Sequence, residues 1–178
     1  MPVNESTLRS NSILEIPVIS RIRRNHGLEH ATLHILSERK RNTNMAGHSD
    51  PGGFWVLGDF SLEEVQEAVD EALTRMRNGE HDLAVHRNCG TNYVTAGMLA
   101  GLVAGASMLG AGSRVRDKVE RLPMAMVLAT LALIAGQPLG RKIQQNITTC
   151  GDPGDLEIVE IASTNRGGMK AYRVTTRG

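Results

Sequence analysis

The sequence is poor in the residues that mark several common classes of protein. Aromatic side chains make up 3% of its 178 residues, which leaves little surface for stacking on nucleic-acid bases. The formal net charge is +1, so there is no excess of basic charge to attract nucleic acid. Two cysteines, Cys89 and Cys150, do not make a disulfide framework, and a reducing compartment is the expectation. Residues 1–12 lack a basic segment followed by an apolar one, so we predict no cleavable signal peptide.

One short motif carries the first chemical prediction. His26 and His30 are four residues apart in the sequence His-Gly-Leu-Glu-His, and on a helix they lie one above the other on one face. Glu29 lies about 100° from His30 around the helix. This is the inverted zincin pattern, in which two histidines bind a metal ion and the glutamate takes a proton from the metal-bound water. The alternative is an ordinary histidine pair on the surface of an amphipathic helix.

A second cluster lies further along the chain, at His86-Arg87-Asn88-Cys89-Gly90-Thr91. An imidazole and a thiolate three residues apart can face one ion from a turn, so His86 or Cys89 is predicted as the third protein ligand. His34 could also join the site, although a surface or packed histidine is the simpler interpretation.

The flanking sequence predicts helices and a small sheet. We expect an extended or interfacial segment over residues 13–22, a helix over residues 26–39 capped by Asn25, and a helix over residues 62–77. Ser61 and Glu64 form a capping box before that second helix. Residues 43–60 are predicted as a loop around a short strand at residues 54–57, with His48 and Asp50 in the loop. Residues 156–162 and 170–176 are predicted as a β-hairpin that uses the 54–57 strand as a partner.

Two uncharged runs, residues 93–112 and 122–139, each have about the length needed to cross a bilayer. Gly97, Gly101 and Gly105 give the first run a G-x-x-x-G-x-x-x-G face, which allows close packing of helices in lipid and predicts a homo-oligomer contact. The alternative is a buried helical hairpin of a soluble protein.

These patterns predict a mainly α membrane protein with a small β element. A two-helix transmembrane hairpin is joined to an α+β soluble part that the N- and C-terminal arms form. The predicted segments are a tail or interfacial segment (1–24), a metal-motif helical region (25–90), the transmembrane hairpin (91–140) and a C-terminal β-hairpin arm (141–178). Two spans would return the chain to its starting side. The long unsignalled arms predict a multi-pass protein of the cell membrane with both arms in the cytoplasm, although the basic connector over residues 113–121 favours the reverse.

The combination of motifs resembles the YqhQ-like predicted metal-dependent bacterial membrane proteins. The resemblance rests on HGLEH, on HRNCGTN before a hydrophobic hairpin, and on the I-x-x-x-I-T-T and D-P-x-D-L-E-I-V stretches after it. It covers about residues 25–162 and is nearest to a smaller relative of the kind found in cyanobacteria and Chloroflexi. The resemblance implies site roles at seven positions, namely His26, Glu29, His30, His86, Cys89, Gly90 and Thr91. It implies no substrate.

The sequence therefore predicts a zinc-dependent hydrolase of the cell membrane, with Zn²⁺ held by His26 and His30 together with His86 or Cys89, and with Glu29 as general base. A peptide or membrane-protein substrate is the first expectation, and a lipid-linked amide or ester the second. If all four ligands bind at once, the site is closed and the protein is a metal-stabilised scaffold or assembly factor. A membrane factor that handles haem or another tetrapyrrole is a third hypothesis. The lipid bilayer is a predicted partner, and nucleic acid is not.

Overall fold

The computed structural model describes residues 13–178, and its contacts divide the chain into two units. The α/β unit contains the described residues up to His86 together with Thr149–Gly178, and the two-helix unit contains Arg87–Thr148. The predicted combination of a mainly helical chain with a small antiparallel sheet is confirmed. The four predicted segment boundaries stay a prediction, and the first twelve residues lie outside the described part.

Helix α1 spans Pro17–Arg39, so it begins nine residues earlier than predicted. Pro17 stands in the first turn, where its fixed φ and missing N–H suit a helix, so a helix begins within the stretch of residues 13–22 that was predicted as an extended or interfacial segment. Asn25 is consequently not a cap but a fully buried residue within α1. Its side-chain amide donates to the Asp50 carbonyl at 2.9 Å, and its oxygen accepts a hydrogen bond from Thr176 at 2.7 Å. These bonds join α1 to the sheet.

Helix α2 spans Leu62–Arg77, and the predicted capping box is confirmed. The Glu64 N–H donates to the Ser61 hydroxyl at 3.1 Å, and the Glu64 carboxylate accepts from the Ser61 N–H at 2.6 Å. These bonds satisfy backbone groups that the first helical turn leaves open. One face of α2 is buried against the core through Val65, Ala68, Val69, Ala72, Leu73 and Met76. The helix ends at Arg77 with Asn78 as its C-cap, and Gly79 follows with a φ of 96°.

The sheet has four antiparallel strands in the order β1-β2-β4-β3. They span Met45–Asp50 (β1), Gly53–Gly58 (β2), Glu157–Arg166 (β3) and Met169–Arg177 (β4). The predicted C-terminal hairpin and its pairing with the 54–57 strand are confirmed. The predicted loop before the 54–57 strand is wrong, because β1 lies there and pairs with β2 in a hairpin. Phe54, Val56 and Val174 are fully buried on one face of the sheet, where they join the core with α1 and α2.

The two-helix unit contains α3 (Gly90–Ser107) and α4 (Val115–Ile143), which pack antiparallel. A Cβ atom added to Gly136 would lie 2.7 Å from the Cα of Ala96, and one added to Gly140 would lie 2.8 Å from the Cα of Asn92. Small residues of α4 therefore permit the close approach of the two helices. Gly97, Gly101 and Gly105 are exposed and have no neighbouring atom within 4 Å of an added Cβ among the described residues.

The prediction of two membrane spans is corrected. Among the described residues one helical stretch is long and apolar enough to cross a membrane, namely Val115–Thr148, which consists of α4 and the π-helical turn Gln144–Thr148 that continues it. The first predicted run lies on α3, which ends at Ser107, and the last residues of the run form a turn in which Gly110 has a φ of 72°. A multi-pass topology is therefore not supported. Strand β4 follows α4 in the chain yet pairs with β2, which precedes α3. A single crossing by α4 alone would separate strands of one sheet.

Candidate metal centre

The α/β unit gathers four histidines, three from α1 and one from the segment after α2. The ring centroids of His26 and His30 are 4.4 Å apart, and those of His30 and His86 are 5.8 Å apart. The ring of His34 lies 4.9 Å from that of His86. The structure thus brings together the motif pair and the predicted third histidine, and it adds His34, which lies one turn beyond His30.

A backbone carbonyl fixes the tautomer of His30. This side chain is buried, with 2% of its surface exposed, and its Nδ1 lies 2.8 Å from the Ala84 carbonyl oxygen. Because a carbonyl can only accept, Nδ1 carries a proton, and in the neutral imidazole the lone pair is therefore on Nε2. Metal-binding histidines are commonly oriented in this way, since the bond fixes the ring and raises the basicity of the other nitrogen. In His34 the other ring nitrogen is the donor, since Nε2 donates to the Val85 carbonyl at 3.1 Å.

The glycine within the motif has a packing role. A Cβ atom on Gly27 would lie 3.1 Å from the carbonyl carbon of Cys150 and 3.3 Å from the Cβ of Ala84, and it would be closer still to the Cys150 oxygen. The Cys150 N–H donates to the Arg23 carbonyl at 2.9 Å, so this segment lies along α1. Gly27 therefore lets both the Cys150 backbone and the turn that carries Ala84 approach the motif helix.

Glu29 is buried, with 4% of its surface exposed, and its side chain lies against strand β1. A Cβ atom on Gly47 would lie 2.6 Å from Cδ and 2.8 Å from Cγ of Glu29, with a carboxylate oxygen nearer still. Gly47 therefore leaves the space that the carboxylate occupies. No pattern in the sequence indicates Gly47, because Glu29 is eighteen positions away and on another element.

His48 and Asp50, which were predicted to lie in a loop, both lie on strand β1. His48 is exposed on β1. Asp50 accepts hydrogen bonds from the Arg173 guanidinium at 2.7 and 2.8 Å. The Arg173 side chain holds the pKa of the Asp50 carboxyl below its usual value, against the opposing effect of burial. Asp50 therefore serves an ion pair of the sheet.

Cys89 belongs to the two-helix unit, where it immediately precedes α3. It makes no disulfide, and 6% of its surface is exposed. Gly90 is the first residue of α3, and the Thr91 hydroxyl lies 3.3 Å from that of Thr148. The role of Cys89 as a ligand stays a prediction, based on its position three residues after His86.

The imidazoles of the α/β unit suit a borderline metal ion such as zinc. The ligating nitrogens of His26 and His30 lie within 4.8 Å of one another. Two nitrogens bound to one tetrahedral zinc are about 3.4 Å apart, because each Zn–N bond is about 2.1 Å. A small adjustment of side-chain torsions therefore lets both histidines bind one ion. The residues fit a metal, and they do not by themselves specify which metal.

A family described as a domain of unknown function, DUF6391, matches residues 21–161. The chain belongs to the DUF6391 family. The DUF6391 region contains every predicted ligand and the predicted base, and it ends within β3, so β4 lies outside it.

The DUF6391 chain is 34% identical over 167 residues to an uncharacterised protein of the cyanobacterium Picosynechococcus sp. (strain PCC 7002). The alignment covers 88% of this chain and 79% of the relative. No solved structure matches the chain. The expectation of a cyanobacterial relative is confirmed, whereas membership of the YqhQ-like group stays a prediction because neither match names that group.

Proposed function

We propose that this chain is a membrane-associated, zinc-dependent hydrolase whose active site lies on helix α1. The observation that carries the proposal is the bond between His30 Nδ1 and the Ala84 carbonyl. This bond leaves Nε2 as the basic nitrogen of a buried imidazole. Its ring adjoins that of His26, and the residue before it is the buried Glu29.

Each residue has a distinct role in this proposal. His26 and His30 are the first two zinc ligands, and His86 or Cys89 is the third. A bound zinc ion lowers the pKa of water to about 7 and polarises a substrate carbonyl. Glu29 accepts the proton of the attacking water and returns it to the leaving group. Gly47 positions the Glu29 side chain by leaving room for it.

The substrate that we propose is a peptide bond, because inverted zincin motifs belong to peptidases. A lipid-linked amide or ester is the second choice.

The lipid bilayer is the proposed partner of the exposed apolar side chains of α4. The exposed stripe of Gly97, Gly101 and Gly105 is the proposed contact with a second copy of the chain. We place the α/β unit in the cytoplasm, where reducing conditions keep cysteine thiols available.

A second candidate is a structural metal site in a scaffold protein. It is favoured by the position of His34, whose ring lies 4.9 Å from that of His86. Four protein ligands would leave no position for water, as in structural zinc sites. This alternative predicts metal-dependent stability without hydrolysis.

Glu29→Gln tests the hydrolase directly, because it keeps the size of the side chain against Gly47 and removes its basicity. The zinc content should stay at the wild-type level, and hydrolysis of a peptide library followed by mass spectrometry should fall by about 10²–10⁴-fold. Glu63→Gln, at an exposed position of α2, is the matched control and should leave both unchanged. Retention of hydrolysis in Glu29→Gln would exclude Glu29 as the base. Absence of hydrolysis in the zinc-loaded wild-type protein, together with a loss of stability on chelation, would favour the scaffold.

A further inference from the structure

The two-helix unit contains a cavity of about 300 Å³ that is lined by Arg87, Asn92, Gln137 and Arg141. Every lining residue is polar, and two carry a positive charge. Both arginines are exposed. This composition differs from the surrounding helical surface, where large apolar side chains such as Ile134 and Leu139 are exposed.

The two arginines have no carboxylate partner among residues 13–178. Other arginines of the chain pair with acidic side chains, as Arg39 does with Glu67 and Glu71. Arg87 and Arg141 make no such pair within the described chain, yet they border one cavity. Two positive charges that share a cavity repel one another, and an anion between them removes that repulsion.

The helix packing holds the cavity in shape. Asn92 has 2% of its surface exposed, and its side-chain amide donates to the Arg87 carbonyl at 2.9 Å. The absence of a side chain on Gly140 lets α4 approach the backbone of Asn92. Gln137 and Arg141 lie four residues apart on α4, so they share one face of that helix. These contacts therefore fix the backbone positions from which the side chains of Arg87 and Arg141 extend.

Guanidinium and amide groups around a small cavity match the oxygens of a phosphate group, which arginine can bind with two parallel hydrogen bonds. A phosphate could come from a lipid headgroup or from a free anion. The lipid is favoured because the uncharged run of residues 122–139 ends two positions before Arg141. Ile134 and Leu139 in this run are 65% and 44% exposed, so acyl chains could cover the helix next to the cavity.

We propose that the cavity between Arg87 and Arg141 binds the phosphate group of an anionic phospholipid. The site lies wholly within the two-helix unit and does not depend on the proposed hydrolase activity. Its occupant holds the helix pair at the lipid–water boundary, with the headgroup at the two arginines and the acyl chains along the apolar part of α4.

The test uses charge-preserving variants of the full chain in a neutral detergent. Binding of dihexanoyl phosphatidylglycerol is measured by native mass spectrometry, with dihexanoyl phosphatidylcholine, whose choline cation neutralises its phosphate and is repelled by the two arginines, as the zwitterionic comparison. Arg87→Lys with Arg141→Lys keeps the net charge and removes the forked donors, so the affinity for phosphatidylglycerol should fall by about tenfold or more. Arg114→Lys with Arg116→Lys, outside the cavity, is the matched control and should change the affinity by less than about twofold.

Three results would overturn the proposal. The first is an unchanged affinity in Arg87→Lys with Arg141→Lys, or an equal loss in the two double variants, because a diffuse electrostatic attraction depends only on the charge that both variants keep. The second is equal binding of the anionic and the zwitterionic lipid. The third is that glycerol phosphate alone binds as tightly as phosphatidylglycerol, which would make the cavity a site for a free anion. Gln137→Ala, at an exposed position, provides a mild second variant and should weaken binding severalfold without altering the thermal midpoint.

Discussion

The contact between Glu29 and Gly47 yields a quantitative prediction for the candidate site. Gly47→Ala adds one methyl group to β1, and its backbone φ is not in the left-handed region, so alanine is compatible with the strand. The added Cβ would lie 2.6 Å from Cδ and 2.8 Å from Cγ of Glu29, whereas ordinary contacts are 3.4–4 Å. The carboxylate must therefore move by most of an ångström or the strand must shift.

Overpacking of this kind costs about 1–3 kcal/mol. For a chain of this size, each kcal/mol corresponds to about 2–4 °C in the thermal midpoint. In a Glu29→Ala background the clash is absent, and alanine is favoured over glycine in a strand by about 0.5–1 kcal/mol. The two substitutions should therefore be coupled, so that the double variant is more stable than the sum of the single effects predicts.

The assay is a double-mutant cycle on thermal unfolding, with Glu29→Ala, Gly47→Ala and the combination compared with the wild type. We expect a coupling free energy of about 1–2 kcal/mol, because the penalty of the added methyl depends on the carboxylate. Additivity within about 0.5 kcal/mol would refute the reasoning, since it would mean that Glu29 does not occupy the space beside Gly47.

Three further predictions concern the parts of the α/β unit that support the site. Gly27→Ala should lower the thermal midpoint although alanine is the better helix former, because its Cβ meets the Cys150 backbone. Ser61→Ala should destabilise the chain by about 1 kcal/mol through loss of the α2 cap, as measured by thermal unfolding; no change would mean that the cap is dispensable. Because Arg173 holds the folded-state pKa of Asp50 below 3.8, the pair stabilises the fold above that pH and loses its effect as the pH falls through the lowered pKa. Arg173→Met should therefore lower the midpoint at pH 7 by an amount equivalent to at most about 1 kcal/mol, since the pair is partly exposed. The difference from wild type should shrink in acid, and a constant difference across pH would contradict this.

The elements that were predicted correctly have local signals. The capping box of α2 lies within four residues. The two strands of the C-terminal hairpin are separated by Gly167 and Gly168, which both have a positive φ. Glycine pairs in this conformation form the tight turns of β-hairpins. Strand β1 was missed because Ala46, Gly47 and His48 have low preference for strands, and its pairing with β2 supplies the stability instead.

The errors have physical reasons as well. Proline breaks a helix in its interior but favours one in its first turn. The sequence around Pro17 does not show which of these two positions it takes, and therefore the start of α1 was not predicted. The first apolar run was counted to Gly112, although the helix ends at Ser107. The uncharged run therefore extends beyond the C-terminal end of helix α3.

The candidate site was only partly predictable. The spacing of His26 and His30 places them together on any helix, so their proximity follows from local geometry. The bond from His30 to Ala84, the room beside Gly47 and the approach of His34 to His86 join residues that are distant in the chain. Such contacts depend on how the elements pack and leave no periodic pattern in the sequence.

Zinc stoichiometry tests the metal centre most directly. The full-length protein, purified without chelator, is analysed by inductively coupled plasma mass spectrometry alongside His26→Ala, His30→Ala and the exposed-histidine control His48→Ala. We predict about one zinc per chain in the wild type and in His48→Ala, and a loss of most of the metal in the other two variants, provided that their circular dichroism shows them folded. Wild-type protein without zinc, or folded His26→Ala and His30→Ala variants that keep the full amount, would contradict a metal site on helix α1.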